Sequence, residues 1–205
     1  MKNSNGTSIR DLPKKDFPPL LLEINDPPKS LRIVGEFPKT EKYLCVVGSR
    51  KYSEYGKNVC ERLIEGLRGY SITIVSGLAL GMDGIAHRAA LRAGLKTIGV
   101  PGSGLGEKSL YPVTNRNIAE EIVESGGCLL SEFPDDWKPR LYSFPQRNRI
   151  MAGMSHATLI IEAELKSGTL ITSKFATEYN RDVFTVPNSI FSKTSEGPLM
   201  LLRLG

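Results

Sequence analysis

Cysteine and histidine are scarce in this chain. The three cysteines, Cys45, Cys60 and Cys128, lie far apart and form no CxxC pair. An odd number of scattered thiols argues against a disulfide framework and fits a reducing cytoplasm. Two histidines, His87 and His156, leave a zinc site few ligands to draw on. No apolar run approaches the roughly 20 residues of a membrane-spanning helix. The opening Met1-Lys-Asn-Ser-Asn-Gly6 lacks the apolar stretch of a secretion signal. Internal repeats and low-complexity linkers are also missing, as are GxGxxG and GxxxxGK[ST], so neither a dinucleotide cofactor nor a P-loop nucleotide is supported. These absences predict a soluble, cytoplasmic protein with no membrane partner, no metal and no cofactor.

What is present is an ordinary globular composition: 205 residues, 40% hydrophobic and 24% charged, enough to bury a proper core. The net charge of +5 permits a polyanionic partner without requiring one.

Polar residues 1–16 read as a flexible lead-in. The stretch 17–42, with five prolines between Phe17 and Pro38, reads as an irregular strap carrying a short strand at 31–34 and docked by Leu20, Leu21 and Leu22. From Tyr43 a regular alternation begins. Apolar runs at 43–48, 72–76, 95–100, 128–131, 157–162 and 182–186 read as strands. Between them lie helix patterns, the first capped by Ser53, others at 115–124, 146–154 and 170–179. After Gly81, the residues Met82, Ile85, Ala86, Ala89, Ala90 and Ala93 make one apolar helix face. Residues 188–205 form a tail with a helical end. Continuous apolar strands, each followed by a helix, predict an α/β fold: an extended Rossmann-like, doubly wound, mostly parallel sheet of six or more strands with helices on both faces. The reading is one domain over 17–205, with its core at 43–187.

In such folds ligands bind beyond the carboxyl ends of the strands, where the strand order reverses. Four turns of small residues fall on that edge: Gly48-Ser49-Arg50, Ser76-Gly77-Leu78 with Gly81, Gly102-Ser103-Gly104, and Ser167-Gly168-Thr169. Singly, each turn only ends a strand and lets a helix pack closely. Together they point to a phosphate-bearing ligand held by backbone amides at helix N-termini, with Arg50 adding a cation.

Arg147, Asn148 and Arg149 fall in the first turn of the helix predicted at 146–154. Cations oppose the helix dipole there, which suggests an anion to meet; the alternative is that one arginine pairs with Glu132 or Glu162. Asn148 is suited either to a base edge or to holding the loop. Asp83 and His87, four apart, share a helix face as an acid–base pair or, more commonly, as structural supports. Glu162 is placed to bind a ribose or to anchor Arg147. Trp137, Tyr142 and Phe144 are open to two readings, stacking on bases or pinning an irregular loop. Nucleophile elbows, metal clusters and paired catalytic carboxylates are absent from the pattern.

These motifs, with Tyr111-Pro112, Leu130-Ser-Glu-Phe-Pro134, Phe144-Pro-Gln-Arg-Asn-Arg149 and Val186-Pro187, resemble the DNA-processing protein A family (DprA, also called Smf) in order and spacing, over about residues 17–205. The resemblance implies a binder of single-stranded DNA with little sequence preference, not an enzyme. It also implies a homodimer that hands strands to a RecA-type recombinase during natural transformation. By match to the family's DNA pocket, Gly48, Ser49, Arg50, Ser76, Gly77, Leu78, Gly102, Arg147, Asn148, Arg149, Ser167, Gly168 and Thr169 would line the groove. The family often carries a sterile-alpha-motif-like domain before the strap and a winged-helix domain after the core, and neither has a counterpart in these residues. Asn188 follows Pro187 where the family usually has glycine, and asparagine tolerates a left-handed backbone there. The rival reading is a phosphoribohydrolase-like enzyme on a related core, but Lys166-Ser-Gly-Thr169 lacks that group's glycine pair and following acid. A scaffold that touches only partner proteins is a third reading.

Overall fold

The computed structural model describes residues 8–204. Its strands are β1 (Arg10–Leu12), β2 (Leu31–Gly35), β3 (Lys42–Val47), β4 (Ile72–Ser76), β5 (Thr97–Gly99), β6 (Cys128–Ser131), β7 (Ala157–Ile160) and β8 (Asp182–Thr185). They form one sheet in the order β1-β2-β6-β5-β4-β3-β7-β8. From β6 to β8 every pairing is parallel, while β1 and β2 join antiparallel at one edge. The helices are α1 (Pro19–Leu22), α2 (Glu54–Glu65), α3 (Met82–Arg92), α4 (Arg116–Glu124), α5 (Ser143–Met154), α6 (Gly168–Glu178) and α7 (Glu196–Leu204).

The central strands β3 to β7 carry no polar/apolar alternation because both of their faces are covered. Cys45 and Val47 point to one side with Val75, Ile98 and Leu130, packing on Ile150, Met151 and Met154 of α5 and Leu21 of α1. Val46 points to the other side with Ile74 and Leu159, packing on Cys60 and Ile64 of α2 and on Met82, Ala86 and Ala89 of α3. Val34 and Leu129 pack on Ile118 and Ile122 of α4. Fully burying one such aliphatic side chain contributes about 1.5–3 kcal/mol. This is the doubly wound architecture expected, a mostly parallel sheet with helices on both faces.

Four expectations need correction. The lead-in is ordered where it is described: Arg10 pairs with Ile33 and Leu12 with Leu31, while Arg32 bridges Asp11 and Asp135. Residues 1–7 of that lead-in lie outside the described residues. A three-residue strand with two charged positions has no pattern of its own and exists through its neighbour. The strap, secondly, is part of the sheet, since β2 pairs with β6 from Arg32–Ser131 to Gly35–Cys128. Of its leucines Leu21 is buried and Leu22 exposed. Thirdly, α5 starts at Ser143, so Arg147, Asn148 and Arg149 sit beyond the first turn and the dipole argument for an anion there lapses. Lastly, Asn188 is not left-handed; among the described residues the positive-φ positions besides glycine are Leu78 and Asn180.

The chain runs from β3 through β4 and β5 to β6 in one direction, then returns to lay β7 and β8 on the other side of β3. The topological switch point therefore lies between the carboxyl ends of β3 and β7.

Candidate functional site

A cleft of about 440 Å³ opens at that switch point. The turn after β3 supplies Gly48, Ser49, Arg50 and Lys51, α5 supplies Phe144, Arg147 and Asn148, and the start of α6 supplies Ser167, Gly168 and Thr169. Ala79 and Asp83 border it from the β4–α3 turn.

The Ser49 hydroxyl donates to the Lys51 carbonyl (2.7 Å) and accepts the Lys51 amide (3.1 Å). This tight turn leaves Arg50 exposed on the outer wall, with its guanidinium over the Phe144 ring at 5.4 Å. Among the described residues no carboxylate lies within ion-pair distance of Arg50. Phe144 is held by Gly102, where a Cβ would come within 2.7 Å of the ring, and by Tyr111 at 6.4 Å. Gly81 (φ 79°) lets the next turn pass under this one: a Cβ there would meet the carbonyls of Ser49 and Arg50 at 2.6 Å.

Two side-chain bonds stitch α6 to the cleft. Thr169 Oγ1 donates to the Gly48 carbonyl (3.1 Å), and Asn148 Nδ2 donates to the Gly168 carbonyl (3.1 Å). Asn148 thus holds the loop, the second of its two readings. Ser167 stands at the N-cap of α6 but makes no capping bond, and its hydroxyl is buried without a partner among the described residues. The first N–H groups of an eleven-residue helix therefore meet the cleft without a side-chain cap, where the dipole favours an anion.

Arg147 lies beneath the cleft, only 4% exposed. Its Nη1 donates to the Val100 carbonyl (2.8 Å) and stands 3.9 Å from Asp83 Oδ2. Burial lowers the Arg147 pKa and raises that of Asp83, and the attraction between the two opposes both shifts. Asp83 Oδ2 also accepts the N–H groups of Gly77 (3.2 Å) and Ala79 (3.3 Å). The turn amides expected to receive a phosphate are thus taken by the chain's own carboxylate.

Other expected site residues lie elsewhere. The Ser76 hydroxyl donates to the Val46 carbonyl (2.7 Å) inside the sheet, and Leu78 is buried among the apolar residues around α4. Arg149 does not line the cleft; it pairs with Glu132 (2.5 Å) and with Asp26 (3.4 Å), the ion-pair alternative. Asp83 and His87 make no acid–base pair. His87 Nδ1 bonds Thr97 Oγ1 (2.7 Å), and burial pushes the imidazole down to about 3. Glu162 faces neither a ribose nor Arg147. It accepts the Ser53 amide (2.9 Å), the Ser53 hydroxyl (2.6 Å) and Asn188 Nδ2 (3.0 Å), bracing the start of α2. Trp137 stacks on Phe133 at 5.8 Å with Tyr142 against its edge, which pins the loop; of the three aromatics only Phe144 lines the cleft. Sequence reasoning missed Lys51 in the cleft and Asn115, whose Nδ2 donates to the carbonyls of Leu78 (2.9 Å) and Ala79 (3.0 Å). Asn115 stands just before α4 and reads there as an ordinary helix-start residue.

Among the described residues no cluster of His, Cys, Asp and Glu could hold a metal ion, and no helix is long and apolar enough to cross a membrane.

A doubly wound sheet with a cleft at its switch point, lined by Arg50, Lys51 and Arg147, by Asp83 and Glu164 and by the Phe144 ring, defines a Rossmann-like α/β protein. The family model for DNA recombination-mediator protein A matches residues 9–205, and the chain belongs to that family. Protein Smf of Escherichia coli K12 is 43% identical over 190 residues, 92% of this chain and 50% of that protein. DNA processing protein DprA of Streptococcus pneumoniae R6 is 40% identical over 194 residues, 92% of this chain and 66% of that one. The chain spans about half the length of its Escherichia coli and Synechocystis relatives, 50% and 48%. Among solved structures, DNA processing protein A from Helicobacter pylori, described for its single-stranded DNA binding mode, matches with a TM-score of 0.88 at 31% identity, covering 100% of this chain and 91% of that one. The Streptococcus pneumoniae protein matches at 0.86 and 38%, covering 97% and 70%.

Proposed function

We propose that this chain binds single-stranded DNA in the switch-point cleft and does no chemistry on it. The observation that carries the reading is Arg50 lying over Phe144 beside the uncapped start of α6. A cation, a ring and a helix start without a side-chain cap in one cleft suit phosphate and base together. Arg50 and Lys51 meet phosphates from the outer wall, α6 receives an oxygen from the floor, and Phe144 offers a face to any base. Arg147 adds positive potential from beneath, partly cancelled by Asp83. Family membership supports the wider role: protection of strands during DNA uptake and recombination in the cytoplasm, with a RecA-type recombinase and a second copy of the chain as partners.

The test is a fluorescence-anisotropy titration of an oligo-dT strand at several salt concentrations, with duplex as control. Binding should weaken with salt, with a slope of about −0.7 per neutralised phosphate, and duplex should bind less well. Salt-independent binding, or none at low salt, would sink the assignment. Incubation with nucleoside monophosphates reads the hydrolase alternative directly, and released base would favour it.

A further inference from the structure

The turn after β4 holds an anion that the chain itself supplies. The N–H groups of Gly77 and Ala79 both point at Asp83 Oδ2, at 3.2 and 3.3 Å. Leu78 between them is left-handed (φ 57°), and a left-handed residue between two amides turns them toward one point. Such a nest suits a phosphate oxygen. Arg147 Nη1 stands 3.9 Å from the same carboxylate oxygen, both side chains are buried, and Arg147 Nε has no partner among the described residues. The turn is also held independently from behind, by Asn115 on the carbonyls of Leu78 and Ala79. A carboxylate thus fills, in charge and geometry, the place a ligand phosphate takes at a Rossmann-type turn.

We propose that Asp83 is a built-in phosphate surrogate, a specificity-determining residue that closes the β4–α3 turn to ligand phosphates and confines them to the turns after β3 and β7. The confinement of a strand to those turns rests on the single-stranded DNA reading; the surrogate itself does not. A mononucleotide or dinucleotide that needs the β4 turn for its phosphate meets a carboxylate in its place. A strand laid across Arg50 and the start of α6 does not need that turn.

The test removes the surrogate and offers the anion from solution. In the full chain, Asp83→Ala leaves Arg147 buried without its counter-charge, so the variant melts below wild type. Inorganic phosphate or formate should then raise its melting temperature saturably. The expected rise is about 3–6 °C at ten times the dissociation constant, well beyond the shift in wild type or with chloride at equal ionic strength. Equal shifts in variant and wild type overturn the proposal. If Asp83→Ala is unfolded in plain buffer, refolding on addition of formate or phosphate supports it, and failure to refold in either overturns it. Oligo-dT binding by wild type is measured in parallel, so that a failure of the DNA reading appears there and leaves the anion rescue to decide alone.

Discussion

Substituting Gly77 by alanine puts a methyl group where Arg147 lies. A Cβ on Gly77 would fall 1.4 Å from Arg147 Nη1, 2.3 Å from its Cζ and 2.6 Å from Asp83 Oδ2. No rotation of the methyl relieves this, so the guanidinium must leave. It then gives up its bond to the Val100 carbonyl, and an unsatisfied buried carbonyl costs about 1–3 kcal/mol. It also leaves Asp83 buried without a counter-charge, and breaking a buried pair costs about 3–5 kcal/mol. The two terms overlap because one displacement causes both, so the expected loss is about 3–5 kcal/mol rather than their sum. Gly168→Ala is the internal control: its Cβ would have nothing within 4 Å, and stability should stay within about 0.5 kcal/mol of wild type. That methyl does stand on the cleft floor, so strand affinity should fall while the fold holds. Urea titration followed by circular dichroism reads both variants. A Gly77→Ala protein within about 1 kcal/mol of wild type would refute the packing argument, because the carbon would then have found room that the structure denies it.

Arg50→Ala should leave the melting temperature unchanged and weaken oligo-dT binding, lowering the salt slope by about 0.7; an unchanged slope and affinity would remove Arg50 from the interface. Arg149→Ala should do the reverse, costing about 3–5 kcal/mol by stranding Glu132 with the salt slope of the folded protein intact, and a flattened slope would place Arg149 in the cleft. His87 is held down at about 3 in the folded chain against 6.5 in the unfolded one. The unfolded chain takes up the extra proton between those values, so this contribution is complete above pH 6.5 and drains as pH falls toward 3, by up to about 1.4 kcal/mol per pH unit. His87→Gln should flatten the urea midpoint against pH from 6 to 4, and an undiminished slope would count against it. Cys45, Cys60 and Cys128 are buried, with the Cys45 and Cys60 thiols pushed up to about 12 by desolvation. A thiol reagent should label them only on unfolding; rapid labelling of the native protein would contradict their burial.

The strands β3, β4 and β7 were legible because a sheet covered on both faces needs uninterrupted apolar runs, and 43–48, 72–76 and 157–162 supply them. The carboxyl edge was legible for the same reason: small residues ending successive strands cluster there whatever they bind. Arg50 and the Ser167–Thr169 turn at the mouth of the cleft followed from that edge, and Asn148 from the Arg147–Arg149 stretch of the predicted helix. Arg149 and Glu162 were not legible, because a buried charge beside a predicted edge looks the same in sequence whether it faces a ligand or a partner 17 residues away, as Arg149 faces Glu132.

The chain's own pattern determined the fold class, the helix faces and the edge on which the turns of small residues gather, since these follow from local periodicity and turn chemistry. Only the tertiary structure decided the fate of each polar group on that edge. β1 exists because β2 offers it a ladder. Gly77 is required because Arg147, seventy residues later, fills the space where its side chain would be. The amides of the β4 turn, the most ligand-like stretch in the sequence, are satisfied by Asp83. Low dielectric is the physical reason: once buried, each charge and each amide must find a partner, and which partner it finds depends on distances in space that spacing along the chain does not encode.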